Sequence, residues 1–308
     1  MRGWWQDLTD LVLPAECGGC GRPRAVLCAE CRGALSGAAP CRVRPVPEPA
    51  GLPAVHAAAP YADEVRAVLL AHKERGALAL AAPLGAALAG AVRAALEAAR
   101  RPGPAARAEA SQGWSRGGKG EAGCERERRG HGGELGPRPG TGDRPVLLVP
   151  VPSARRAVRA RGHDPARRIA LAAAGELRRT GTPARVLGVL RQRRTVADQS
   201  GLNSRERLAN LAGALEVVGG GARLLAEGGR VVLVDDLMTT GASLTEAARA
   251  LRAARPVAGG AGGPRERPEL PEVEGRIAGT GQARGTDGEA VGAAVVAAPP
   301  DAFEINRN

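Results

Sequence analysis

Apolar residues fall in short continuous blocks, separated by longer stretches in which they recur every three or four positions. The blocks "RPVLLVPVP" (144–152), "ARVLGVL" (184–190) and "RVVLVDD" (230–236) have strand length, and unbroken apolar runs of that size suit strands buried on both faces. Between the first two lies "HDPARRIALAAAGELRRTG" (163–181), a helix with Asp164 as N-cap, Pro165 in its first turn and Gly181 as C-cap. Upstream, residues 61–99 read as two amphipathic helices broken near Gly76. Strand and helix alternating through short links predict an α/β fold, a doubly wound parallel sheet flanked by helices.

Two segments break the pattern. Residues 101–144 and 256–289 lack apolar periodicity and are dense in Gly and charge, so they are expected to be disordered insertions. After the second, "AVGAAVVAAPP" (290–300) returns to strand character, and the sheet is expected to resume there. At the start, Trp4, Trp5, Leu8, Leu11 and Val12 share one helical face, while Asp7 and Asp10 argue against a signal peptide. No run is expected to reach the roughly 18 apolar residues of a membrane span, so the expected location is the cytoplasm. The resulting division is an N-terminal helix and cysteine module (1–50), a helical part (51–100), an insertion (101–144), a core (145–255), a low-complexity loop (256–289), and a last strand and tail (290–308).

Composition narrows the chemistry. One Phe, one Tyr and three Trp leave a core of Ala, Val and Leu and make aromatic platforms for base stacking an unpromising reading. A net charge of +12, mostly from arginine, points to anionic partners: nucleic acid, a membrane surface or phosphorylated small molecules.

The third strand ends in Asp235 and Asp236, where open parallel sheets place their ligands. Adjacent carboxylates there are tolerable only beside hydroxyls or a cation. "MTTGAS" follows, with Gly241 for close backbone approach and with Ser243 and Glu246 spaced as a capping box. Free N–H groups at a helix start cradle anions, so this loop is expected to hold a phosphate. A ligand with vicinal sugar hydroxyls at one end and a terminal phosphate at the other matches the order, and phosphoribosyl pyrophosphate is such a ligand. Two other readings compete: a Walker B strand with "GWSRGGKG" (113–120) as P-loop, although Gly120 stands where Ser or Thr would hold magnesium, and a capped turn with incidental aspartates.

"VVLVDDLMTTGAS" resembles the binding motif of type I phosphoribosyltransferases. "LLVPVPSARRAVRARGHDPARRIA" and "RQRRTVADQSGLNSRERLANLAGALEV" resemble hallmarks of the ComF family of competence-associated proteins with that fold. The resemblance implies that Asp235 and Asp236 take the ribose hydroxyls, that Thr239, Thr240, Gly241, Ala242 and Ser243 take the 5-phosphate, and that Asp235, Asp236 and Thr239 form the catalytic set. It further implies that Arg155, Arg156, Arg159, Arg161 and Lys73 meet the diphosphate, that Mg²⁺ is a cofactor, and that residues 191–217 form a flap. His163 stands where the family usually has Phe, and the residue reads as a surface or capping histidine. Thr239 replaces the carboxylate base of purine-salvage relatives, which disfavours a 6-oxopurine acceptor. The family's link to DNA uptake leaves a second possibility, an accessory protein binding single-stranded DNA through an Arg-rich helix over 155–179 alongside competence proteins.

Cys17, Cys20, Cys28 and Cys31 are spaced C-x2-C-x7-C-x2-C, two knuckles able to close a tetrahedral thiolate site around structural Zn²⁺. The ComF resemblance implies the same N-terminal zinc ribbon. Cys41 and Cys124 have no partner in this pattern.

Overall fold

A computed structural model describes residues 16–100, 144–196, 201–226, 228–254 and 290–304. The expectations for the N-terminal helix, most of both insertions, the P-loop-like stretch and Cys124 lie outside those residues.

Six strands form the main sheet: β1 (Cys41–Val43), β2 (Val55–Pro60), β3 (Val146–Pro150), β4 (Ala184–Val186), β7 (Arg230–Leu237) and β8 (Ala290–Ala298). Their order is β1-β2-β8-β7-β3-β4, with every neighbouring pair parallel except β1–β2. The sheet thus resumes with β8, as expected, and this last strand enters between β2 and β7.

Each interior strand sends alternate residues to two apolar layers. Val146, Leu148, Val232, Val234, Ala294 and Val296 pack beneath α3 (Ala81–Arg100) and α5 (Pro165–Arg179). Leu147, Val149, Val231, Leu233, Ala293 and Val295 pack under α8 (Ala242–Ala253). Both faces are covered, which is why these strands read as continuous runs. Helix α5 opens as expected, the Asp164 side chain accepting from the Arg167 N–H and Pro165 starting the helix, while its C-cap is Thr180 rather than Gly181, which follows at φ 84°.

Several expectations are corrected. "ARVLGVL" is not one strand: β4 stops at Val186, and the chain leaves the sheet to form a two-stranded ribbon of β5 (Leu190–Gln192) and β6 (Leu215–Val217). The Arg-rich helix over 155–179 is two helices, α4 (Arg155–Arg161) and α5, separated by Gly162 at φ 75°. Strands β1 and β2 were not anticipated, because "VHAAAP" offers small residues without a clear alternation.

The helical stretch Leu78–Arg100 is long and apolar enough to cross a membrane, contrary to the sequence reading. Leu84, Leu88 and Val92 of this stretch are buried against the sheet and α5, as in a core helix.

Candidate functional site

At the carboxyl ends of β3 and β7 a cleft of about 1550 Å³ opens. It is lined by Asp235, Asp236, Thr239 and Ser243, by Lys73, and by Ser153 and arginines of α4. Burial through the body of β7 fixes the acids: Val231 to Val234 are at most 2% exposed, so the strand cannot slide without uncovering both layers. Successive strand residues face opposite ways, which sends Asp236 toward α2 (Asp63–Glu74), where its Oδ2 lies 3.0 Å from Lys73 Nζ. Asp235 turns to the other face, and its Oδ1 accepts the Asp236 N–H at 2.8 Å.

Burial, reinforced by the Asp236 charge, pushes Asp235 well above the usual carboxylate range, against the pull of Lys73. Burial also opposes the Lys73 charge, but the carboxylates of Asp236 and Asp235 outweigh it and hold this ammonium above its ordinary value. The cleft thus pairs one acid that resists ionisation with one firmly charged amine.

The loop after β7 leads into α8 through Gly241, whose φ of 75° favours a residue without a side chain. A Cβ there would also sit 3.0 Å from Leu52. The expected capping box is absent: Gly241 is the N-cap, and no side chain caps the helix. Glu246 is instead buried, accepting the Leu215 N–H at 2.9 Å and pairing with Arg249, whose Nη2 donates to the Leu215 carbonyl at 2.8 Å. These bonds pin β6 to α8 and leave the first backbone N–H groups of α8 without a side-chain cap. Thr239 and Ser243 line the cleft, whereas Thr240, Gly241 and Ala242 do not, and Ala242 packs with Leu211 and Ala214.

The basic side rests on thinner support. Helix α4 buries none of its residues, yet Arg155, Arg156, Arg159 and Arg161 all line the cleft. Its ends are drawn together by Ser153, whose N–H and hydroxyl donate to the Asp164 carboxylate at 3.5 and 3.4 Å. Arg161 Nε lies 3.5 Å from Glu74 at the end of α2. His163 is more than a surface cap: its ring nitrogens lie 3.1 Å from the Arg161 carbonyl and 3.2 Å from the His72 carbonyl, linking this turn to the Lys73 helix. His72 beneath it is fully buried, and burial lowers its pKa.

Residues 191–217 are expected to form a flap, and Gln192 of β5, Arg193, Arg194 and Val196 after it, Arg207 of α6 (Ser204–Leu211) and Leu215 of β6 border the cleft. Sequence reasoning missed the capping box that does exist. Asn203 accepts the Glu206 N–H at 3.0 Å, and Glu206 accepts the Asn203 N–H at 2.8 Å. The N-x-x-E spacing was its available signal.

At the N-terminus the Sγ atoms of Cys17, Cys20, Cys28 and Cys31 lie within 4.8 Å of one another. Zinc–thiolate bonds of about 2.3 Å at tetrahedral angles place sulfurs about 3.8 Å apart, and Cys20 and Cys28 stand at 3.6 Å. The four cysteines are positioned to hold a metal ion, consistent with structural zinc. The first knuckle needs glycine: a Cβ on Gly19 would lie 2.6 Å from Cys31 Sγ. Burial resists ionisation of Cys17, but N–H groups of Cys20, Cys28 and Gly19 bring it down to about 6, while burial and the neighbouring thiols drive Cys31 upward. Cys41 lies apart on β1, its pKa raised by burial.

No protein-family model matches the chain, and a search of curated proteins finds no match either.

Proposed function

We propose that the cleft binds phosphoribosyl pyrophosphate and that the protein is a ComF-like phosphoribosyltransferase. The observation that carries this reading is the shared cleft, which brings together two carboxylates, Ser243 in the uncapped first turn of α8, Lys73 beside Asp236, and the α4 arginines. Asp235 and Asp236 would take the ribose hydroxyls, and Thr239, Ser243 and the helix start the 5-phosphate. Lys73, Arg155, Arg156 and Arg161 face the space left for the diphosphate, where their charge would offset that developing on pyrophosphate as its bond to the anomeric carbon breaks and an acceptor attacks.

Adjacent carboxylates, one of them made protonation-prone by burial and by the charge of the other, suit a hard cation. Asp235 and Asp236 would hold Mg²⁺, which when bound supplies further neutralisation of the diphosphate. No residue need form a covalent intermediate.

Titration calorimetry with phosphoribosyl pyrophosphate tests the reading. The wild type is expected to bind, and the Asp235→Asn/Asp236→Asn variant to lose binding. Equal heats from both proteins would end the proposal.

One observation favours a second reading. Arg155, Arg156 and Arg159, exposed on a helix that buries nothing, form a basic ridge, suited to single-stranded DNA. That reading expects DNA affinity to fall steeply with salt and to be unchanged by the double Asp variant; affinity independent of salt would dismiss it.

A further inference from the structure

The phosphate loop, Leu237 to Ser243, contains no cationic residue. A phosphate dianion seated there would have hydroxyls and backbone N–H groups but no counter-charge from its own segment. The structure brings a cation from elsewhere: Arg207 on α6 reaches across the cleft and its Nη1 donates to Thr239 Oγ1 at 3.4 Å. Its Nε is shielded from solvent and has no partner among the described residues, so the guanidinium keeps an unused donor beside the loop. An unused buried donor of a charged group is costly unless something accepts from it.

The helix carrying Arg207 is held for this task. The Asn203–Glu206 capping box fixes its start, and Leu211 and Ala214 pack on Ala242 beside the phosphate loop. Glu246 and Arg249 tether the following strand to α8.

We infer that Arg207 binds the terminal phosphate of the ligand in the Thr239–Ser243 loop, with α6 acting as a clasp over that end of the cleft. A guanidinium matches phosphate with two parallel N–H donors, and Nε and Nη2 on one edge of Arg207 supply such a pair, beside the Nη1 that meets Thr239. This assignment rests on the phosphoribosyl pyrophosphate reading and deepens it: recognition of the sugar phosphate spans two separate segments, while the diphosphate is met by Lys73 and α4.

The test uses ribose 5-phosphate and inorganic pyrophosphate as separate calorimetric probes on the full chain. Arg207→Gln is expected to weaken ribose 5-phosphate by about tenfold or more, the scale of a hydrogen bond to a charged group, and to leave pyrophosphate affinity unchanged. Arg207→Lys should recover part of the loss, since charge is kept and the fork is not. Arg223→Gln, which removes an equal charge on an exposed residue outside the cleft, should change neither affinity. Thermal melting of each variant separates lost binding from lost fold.

Wild-type affinity for ribose 5-phosphate that survives Arg207→Gln unaltered would overturn the assignment alone. A loss confined to pyrophosphate would place Arg207 at the other end of the ligand and overturn it as well. A wild type that binds ribose 5-phosphate but not phosphoribosyl pyrophosphate would sink the parent reading and leave the clasp standing. Binding of neither would sink both.

Discussion

The two walls of the cleft are built by opposite means. The acidic wall grows out of β7, a central strand with Val231 to Val234 buried on both faces. The basic groups come from separate pieces: α4 buries nothing, α6 buries only Leu211, and Lys73 rides on α2, whose Val65, Val68 and Leu69 pack both with Cys17, Cys28 and Cys31 and in the same core as Val232 and Val234. Carboxylates placed side by side repel and must be held by the core. Arginines facing an anion are held by the anion, so their segments can afford weak support.

The cysteine module gives the largest lever on this contrast. Structural zinc in small modules contributes on the order of 10 kcal/mol or more of apparent binding free energy. Chelation is therefore expected to abolish hydrogen-exchange protection over 17–36, to weaken it along α2, and to leave β7 protected. Equal loss in β7 would erase the distinction between the walls.

Next in size, Leu233→Ala should cost about 2–5 kcal/mol in chemical denaturation, the range for truncating a buried leucine. A cost under about 1 kcal/mol would mean the acids are not anchored by strand packing.

Asp235→Asn should raise the melting temperature of the ligand-free protein near neutral pH while lowering ligand affinity. The sign follows from linkage. The folded-state pKa is raised, so between the ordinary carboxylate value and that raised value the native state binds the extra proton, and stability falls as pH rises through the window. The variant lacks this slope. A melting temperature lowered at every pH would contradict the assigned strain.

The smallest effect on stability belongs to Arg156→Ala, within about 0.5 kcal/mol as for a surface residue without buried contacts, alongside a clear loss of pyrophosphate affinity. A large destabilisation would show that α4 has structural support.

What the sequence disclosed follows the same division. Strands β3, β7 and β8 were legible because burial on both faces leaves uninterrupted apolar runs, and α5 because Asp164, Pro165 and Gly181 mark its ends chemically. Asp235, Asp236, Lys73, Arg155, Arg156 and Arg161 line one cleft.

Long-range partners were not legible. Ser243 and Glu246 have capping-box spacing, but Glu246 is drawn to Leu215, thirty-one residues away in the chain, and local spacing carries no trace of that competitor. The contact of Arg207 with Thr239 and the bridge from His163 to the His72 carbonyl are tertiary in the same sense. The split of "ARVLGVL" into β4 and β5 depends on β6 offering a second edge, visible only once the chain has folded back.

The most direct trial of the central claim is a crystal structure of the full chain with phosphoribosyl pyrophosphate and magnesium. The account expects ribose hydroxyls against Asp235 and Asp236, the 5-phosphate within the Thr239–Ser243 loop, and the diphosphate toward Lys73 and α4. Density elsewhere on the protein, or a ligand lying with its ends reversed in the cleft, would contradict it.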